Sequence, residues 1–185
     1  IDNMVPFNWR GWWRFGTGAL GDMGCHIIGP PFKLLHLGYP TEVSCSASTV
    51  YSGIFEEGIY PDSGPVSSIV RFRYKLKNNK DLDLFWMDGG ITPDRPNEID
   101  PDVNMNEILA DFPLGLNDYE GGTLFIGTKG KAACGWGGRN PILLPLSKNK
   151  EINIPKKYPR VEGDMDGHWW QWIDACIAGY GKAEV

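Results

Sequence analysis

The chain has 185 residues and a mass of 20.6 kDa, a length that predicts a single domain over residues 1–185. Its 42% hydrophobic and 12% aromatic content is enough for a sizeable core and argues against a disordered chain. The balance of 18 basic and 23 acidic residues, net −5 with no basic block, argues against nucleic acid as a partner. The longest apolar stretch, Cys25 to Leu37, is cut by Gly29-Pro30-Pro31 and carries Lys33, which argues against a membrane span.

Residues 1–17 are aromatic and irregular, with Phe7, Trp9, Trp12, Trp13 and Phe15 around Arg10 and Arg14. From Gly18 to about Ile28 the pattern is helical. Proline lacks an N–H and its ring clashes one turn back, so Pro30 and Pro31 predict a kink or a restart. A second short helix through Phe32, Leu34 and Leu35 is expected to end at Gly38. The period then changes to two. Val43, Cys45, Ala47, Thr49 and Tyr51 share one strand face, and Glu42, Ser44, Ser46 and Ser48 the other. In residues 68–76, Val70, Phe72, Tyr74 and Leu76 oppose Ile69, Arg71, Arg73 and Lys75. The Asn78-Asn79 turn leads to a third strand at 82–87, completing a hairpin.

A Pro/Asp/Asn-rich insertion runs from Asp88 to Gly121, with one short helix expected near Val103–Asp111. A strand at 123–127 meets the turn Thr128-Lys129-Gly130 and returns through Ala132–Cys134; residues 142–145 and 152–154 are weaker strand candidates. Met165, Trp169, Trp172, Ile173, Cys176 and Ile177 recur at helical spacing, predicting an amphipathic helix with Asp164 or Asp166 as N-cap and Gly179 after it. Helical spacing assigns Trp169 and Trp172 to a core. The order predicts an α+β fold: an open, mostly antiparallel sheet with helices packed on one face.

Cys25, Cys45, Cys134 and Cys176 are scattered, without the short spacings that metal ligands need, so no metal site is expected and the thiols are read as free and in the core. The compartment stays open between cytoplasm and periplasm. The opening Ile1-Asp2-Asn3 has neither an initiator Met nor a signal-like segment, and reads as a piece of a longer chain.

Two glycine-rich stretches invite a nucleotide reading. Gly16-Thr17-Gly18-Ala19-Leu20-Gly21 matches G-x-G-x-x-G, but a dinucleotide site needs a buried strand before it, and the preceding aromatic and arginine residues make a poor one. Around Gly127–Lys131 no hydroxyl follows the lysine, and a hairpin turn explains the glycines. The informative pair is Asp22 and His26. On a helix, residues four apart lie on one face, with Cβ atoms roughly 5–6 Å apart. A carboxylate so placed can orient an imidazole and stabilise its protonated form, the pairing an acid/base catalyst needs; simple surface pairs have the same spacing.

The stretch from Trp9 to His26, with its Gly-rich turn followed by Asp-x-x-x-His, resembles the start of the C-terminal domain of the Gfo/Idh/MocA oxidoreductases, which include glucose–fructose oxidoreductase and inositol dehydrogenase. Leu37-Gly38-Tyr39-Pro40, Trp86-Met87-Asp88-Gly89-Gly90, Gly122 to Gly130, Leu143-Leu144-Pro145 and His168 to Ala175 are similar to the bacterial subgroup, in order along nearly the whole chain.

That resemblance implies a substrate-binding and oligomerisation domain whose N-terminal Rossmann partner, with the nicotinamide cofactor (NAD or NADP) and a catalytic Lys in Glu-Lys-Pro, lies outside this chain. It implies hydride transfer at a sugar or polyol carbinol, with His26 as acid/base and Asp22 holding the substrate or the imidazole. Arg10, Trp12 and Trp13, just before the motif helix, line a sugar site or simply pack. His168 faces the substrate or sits exposed, and His36 is read as structural, at a helix end. The mixed face carrying Ser44, Ser46, Ser48, Arg71, Arg73, Lys75, Ile69, Phe85 and Met87 suits either water or a partner's sheet, and the resemblance implies a homodimer or tetramer built through it. The rival reading is a non-catalytic carbohydrate-binding or assembly module.

Overall fold

Residues 7–99, 121–153, 155, 157, 161–179 and 181 are described by a computed structural model, in two units, Ile1–Lys150 and Glu151–Val185. The helix expected near Val103–Asp111 lies outside the described residues. The fold is α+β with open antiparallel sheets.

In the first unit, a 3₁₀ turn at Asn8–Gly11 precedes helices α1 (Gly18–Ile27) and α2 (Gly29–Leu34). The prolines restart the helix as expected, and the joint is a single residue, Ile28. Proline at position 31 leaves the Ile27 carbonyl without its helical donor, and the Thr123 hydroxyl donates to it at 3.0 Å. Helix α2 stops at Leu34, before the expected Gly38. His36 adopts the left-handed conformation (φ 52°) that closes the helix, and Leu37 N–H donates to the Phe32 carbonyl at 3.0 Å.

Strands β1 (Glu42–Ala47), β4 (Ser68–Lys75) and β5 (Asp81–Met87) form one antiparallel sheet in the order β1-β4-β5. Register places Cys45, Val70 and Trp86 side by side, and Val43, Phe72 and Leu84 beside them. Val70, Tyr74 and Trp86 are buried, so the period-two reading assigns the inner face of β4 and β5 correctly, whereas β1, at the sheet edge, is exposed along its whole length. The opposite face is a ladder of ion pairs: Arg71 with Glu42, Arg73 with Asp83, and Lys75 with Asp81. At the end of β5 the Asp88 carboxylate accepts from the Trp86 indole N–H (2.7 Å) and from the Ser68 hydroxyl (3.0 Å). The chain then turns through Gly89 (φ +64°), where a side chain would collide with the Val66 carbonyl.

The alternation read through Tyr51 is broken. Strand β1 ends at Ala47, and β2 (Val50–Gly53) with β3 (Glu56–Gly58) makes a separate hairpin. Ser48 and Ser67, joined by hydrogen bonds, mark where the chain leaves the first sheet. Strands β6 (Gly122–Gly127), β7 (Gly130–Gly135) and β8 (Ile142–Leu144) form the third sheet, with a hairpin turn at Thr128-Lys129. Cys134 is buried there, which pushes its thiol pKa up, whereas Cys25, Cys45 and Cys176 are exposed; the core assignment holds for one thiol of the four.

The second unit contains α3 (Asp164–Ala178). Gly179 caps its C-terminus as expected, but the N-cap is Gly163 in the left-handed conformation, not an aspartate. Trp169, Trp170 and Trp172 are 61%, 62% and 62% exposed, which corrects the core assignment of Trp169 and Trp172. Helical period identifies which side of a helix is apolar, not what covers it. Ile152 and Asn153 are not in a strand, and the candidate there is withdrawn.

Candidate functional site

Helix α1 is preceded by closely fitted chain. Trp13 N–H donates to the Asp62 carbonyl (2.8 Å) and Gly64 N–H to the Gly11 carbonyl (2.9 Å), tying the aromatic segment to residues 62–64. The three glycines of the G-x-G-x-x-G match are all occupied by this packing. A side chain at Gly16 would strike the Arg10 backbone, one at Gly18 (φ +68°) would meet the Trp13 ring at 3.3 Å, and one at Gly21 would strike the Thr17 side chain. Among the described residues no strand leads into the motif, since a 3₁₀ turn and an isolated bridge at Trp12 precede it. The match does not form a dinucleotide cradle.

Asp22 and His26 share one side of α1, as their spacing predicts, but they are not hydrogen-bonded to each other. The Asp22 carboxylate accepts from Arg10 at 3.0 Å, both side chains being half-buried. The Arg10 guanidinium lies 3.5 Å from the centre of the Phe7 ring, so one face of the cation is covered while its edge holds the carboxylate. A side-chain position on an entering loop is thereby fixed to the motif helix.

His26 is exposed, and its ring lies against Trp136, centroids 4.9 Å apart at 36°. Trp136 opens the 3₁₀ turn Trp136–Gly138 after β7, and the Arg139 guanidinium covers it at 4.9 Å. Trp136 and Arg139 escaped the sequence reading. The only local signal was the run Gly135-Trp136-Gly137-Gly138-Arg139, and nothing in it points to a partner 110 residues upstream. Pro30 lies against Gly138, so the α1–α2 joint and this turn are in contact.

Among the remaining expected residues, Trp12 is half-buried, and Trp13 is exposed with its ring edge on the Gly18–Gly64 contact, a packing role. His168 lies exposed on α3, in the second unit. Among the described residues no group of three or more His, Cys, Asp or Glu is placed to hold a metal ion, and no helix is long and apolar enough to cross a membrane. No protein-family model matches the chain, and no curated protein does.

The local chemistry is therefore that of an accessible imidazole with an aromatic wall, one turn from a carboxylate held by an arginine. An imidazole in this setting can accept or donate a proton at a bound hydroxyl. The flat Trp136 ring beside it suits the apolar face of a sugar ring, and the Arg10–Asp22 pair offers donors and acceptors for hydroxyl groups.

Proposed function

We propose that this chain is the substrate domain of an NAD(P)-dependent oxidoreductase of the Gfo/Idh/MocA type, acting on a sugar or polyol carbinol. What carries the reading is the Asp22–His26 face of α1, with Arg10 fixing the carboxylate and Trp136 backing the exposed imidazole. His26 takes the hydroxyl proton as the carbinol carbon is oxidised. Asp22, already committed to Arg10, binds the substrate rather than orienting the imidazole. Arg10 positions Asp22, and Trp136 bounds the sugar. A nicotinamide held on a separate Rossmann domain would accept the hydride. The outer face of the β1-β4-β5 sheet is the surface proposed to assemble copies.

Turnover of the longer enzyme on a sugar and polyol panel tests this. His26→Ala should lower kcat by roughly 10²–10⁴-fold, the usual worth of a positioned acid/base. Asp22→Asn should mainly raise KM, since it removes a substrate contact made in ground and transition state alike. A folded His26→Ala enzyme with undiminished kcat refutes the assignment. Sugar binding that survives with no turnover under any cofactor supports the non-catalytic carbohydrate module instead.

A further inference from the structure

The β2–β3 hairpin violates its own turn chemistry. Its two turn residues are Ile54 and Phe55, 87% and 95% exposed, and Phe55 is held at φ +60°. Two-residue hairpin turns favour glycine and asparagine, because positive φ crowds a Cβ. A bulky aromatic there strains the backbone and exposes apolar area, and such local misfits mark function more often than they mark defects. Glu56 and Glu57 follow immediately, so the tip is an apolar knob with acidic shoulders.

The complementary surface lies on the third sheet. On it, the residues Phe125, Ala132 and Leu143 floor an open cup of about 290 Å³. Lys129, in the β6–β7 turn, and Lys148 stand at its rim, with the Lys148 ammonium over the Gly130 backbone. Lys131 also borders the cup and is paired with Glu98 at 2.8 Å. The volume is at the foot of the small-ligand range of roughly 300–1,000 Å³, the scale of a single inserted side chain. Strand addition is blocked at this edge, because the Asn149 amide already bonds both the N–H and the carbonyl of Leu143 at 2.8 Å. An occupant must therefore present side chains.

We infer that the hairpin tip of one copy of this chain docks in the lysine-rimmed cup of a second copy, with Phe55 entering the apolar floor and Glu56 and Glu57 meeting Lys129 and Lys148. Apolar area with opposite charge is matched on the two surfaces, and both belong to the first unit of the same chain. The surface is separate from the outer sheet face and does not depend on the oxidoreductase reading. Light scattering of the full chain tests it. The unmodified chain should self-associate, less so as salt rises, because the rim charges are screened. Phe55→Asn should weaken this association roughly 30-fold or more, as loss of an aromatic anchor does. Asparagine tolerates positive φ, so thermal unfolding should be unchanged or improved. The doubly reversed rim, Lys129→Glu with Lys148→Glu, should also dissociate, and adding Glu56→Lys with Glu57→Lys should restore association. Unchanged mass for Phe55→Asn, or no restoration on double reversal, overturns the proposal.

Discussion

The Thr123 hydroxyl bonds the end of the motif helix to the third sheet. Pro31 leaves the Ile27 carbonyl without a donor, and Thr123 supplies one from β6. Replacing Thr123 by Val keeps the shape and removes the donor from a half-buried carbonyl, so unfolding free energy should fall by about 1 kcal/mol, the net worth of one hydrogen bond. Denaturant unfolding measures it; a change within error would mean that water takes the place of the hydroxyl. The sequence announces the vacancy, since two adjacent prolines in a helical pattern can only interrupt it. It does not announce the remedy, because the donor is 96 residues away. The site reads the same way. Asp22 and His26 were legible from a four-residue spacing, whereas their partners Arg10 and Trp136 come from other elements and carry no periodic signal. Of the two roles expected for Asp22, holding the substrate or the imidazole, the contact with the imidazole is not formed, and the carboxylate accepts from Arg10 instead.

At the level of elements, β4 and β5 are bound across their outer face by charge. Arg73 grips Asp83 through two bonds, Nε to Oδ1 at 2.8 Å and Nη2 to Oδ2 at 3.0 Å. This hydrogen bonding holds the Asp83 carboxyl below its ordinary value and pushes Arg73 above its own. A carboxyl depressed in the folded state stabilises the fold above the ordinary carboxylate range, about 4, and that contribution is lost as pH falls through the folded value. Asp83→Asn should therefore lower Tm at neutral pH, with the gap to the unmodified chain closing in acid. Because the pair is largely exposed, the gap should also narrow in high salt. A gap that does not vary between neutral and acid pH would remove the pair as its cause. Strands such as these were legible because alternation separates Val70 and Tyr74 from Arg71 and Arg73. The β2–β3 hairpin was not, since its turn carries Ile54 and Phe55 where turn residues belong, and Thr49 and Tyr51 continue the preceding period. In α3 the period was legible and the burial was not, for a stripe of tryptophans looks the same whether covered or exposed.

The two proposed surfaces together predict a size for the whole assembly. The outer sheet face, with Phe85 exposed among paired charges, is self-complementary: each Arg or Lys already stands beside an Asp or Glu, so a two-fold copy meets the same mixture it presents. The hairpin and the cup are unlike patches, and two copies that exchange hairpins reciprocally close without growing further. Two closed contacts on one chain whose two-fold axes cross at right angles generate a dimer of dimers, the next commonest closed symmetry after the dimer. The expected mass is that of a tetramer. Phe85→Lys, which sets an unpaired cation into the centre of the sheet contact, should leave dimers joined by hairpins. Phe55→Asn should leave dimers joined by sheets, and the two changes together should leave monomers. Phe55→Asn should keep its thermal stability as a monomer, since Phe55 is exposed and outside the core, whereas Phe85→Lys sets a cation opposite Arg71 and should lower it slightly. A double variant that remains tetrameric would place the assembly on a third surface, and a Phe85→Lys variant that keeps the full tetramer would remove the sheet face alone. The order of dissociation separates the contacts further: raising salt should release the lysine-rimmed cups before the sheets, because Lys129 and Lys148 are drawn to their partners through water, whereas Phe85 acts by burial.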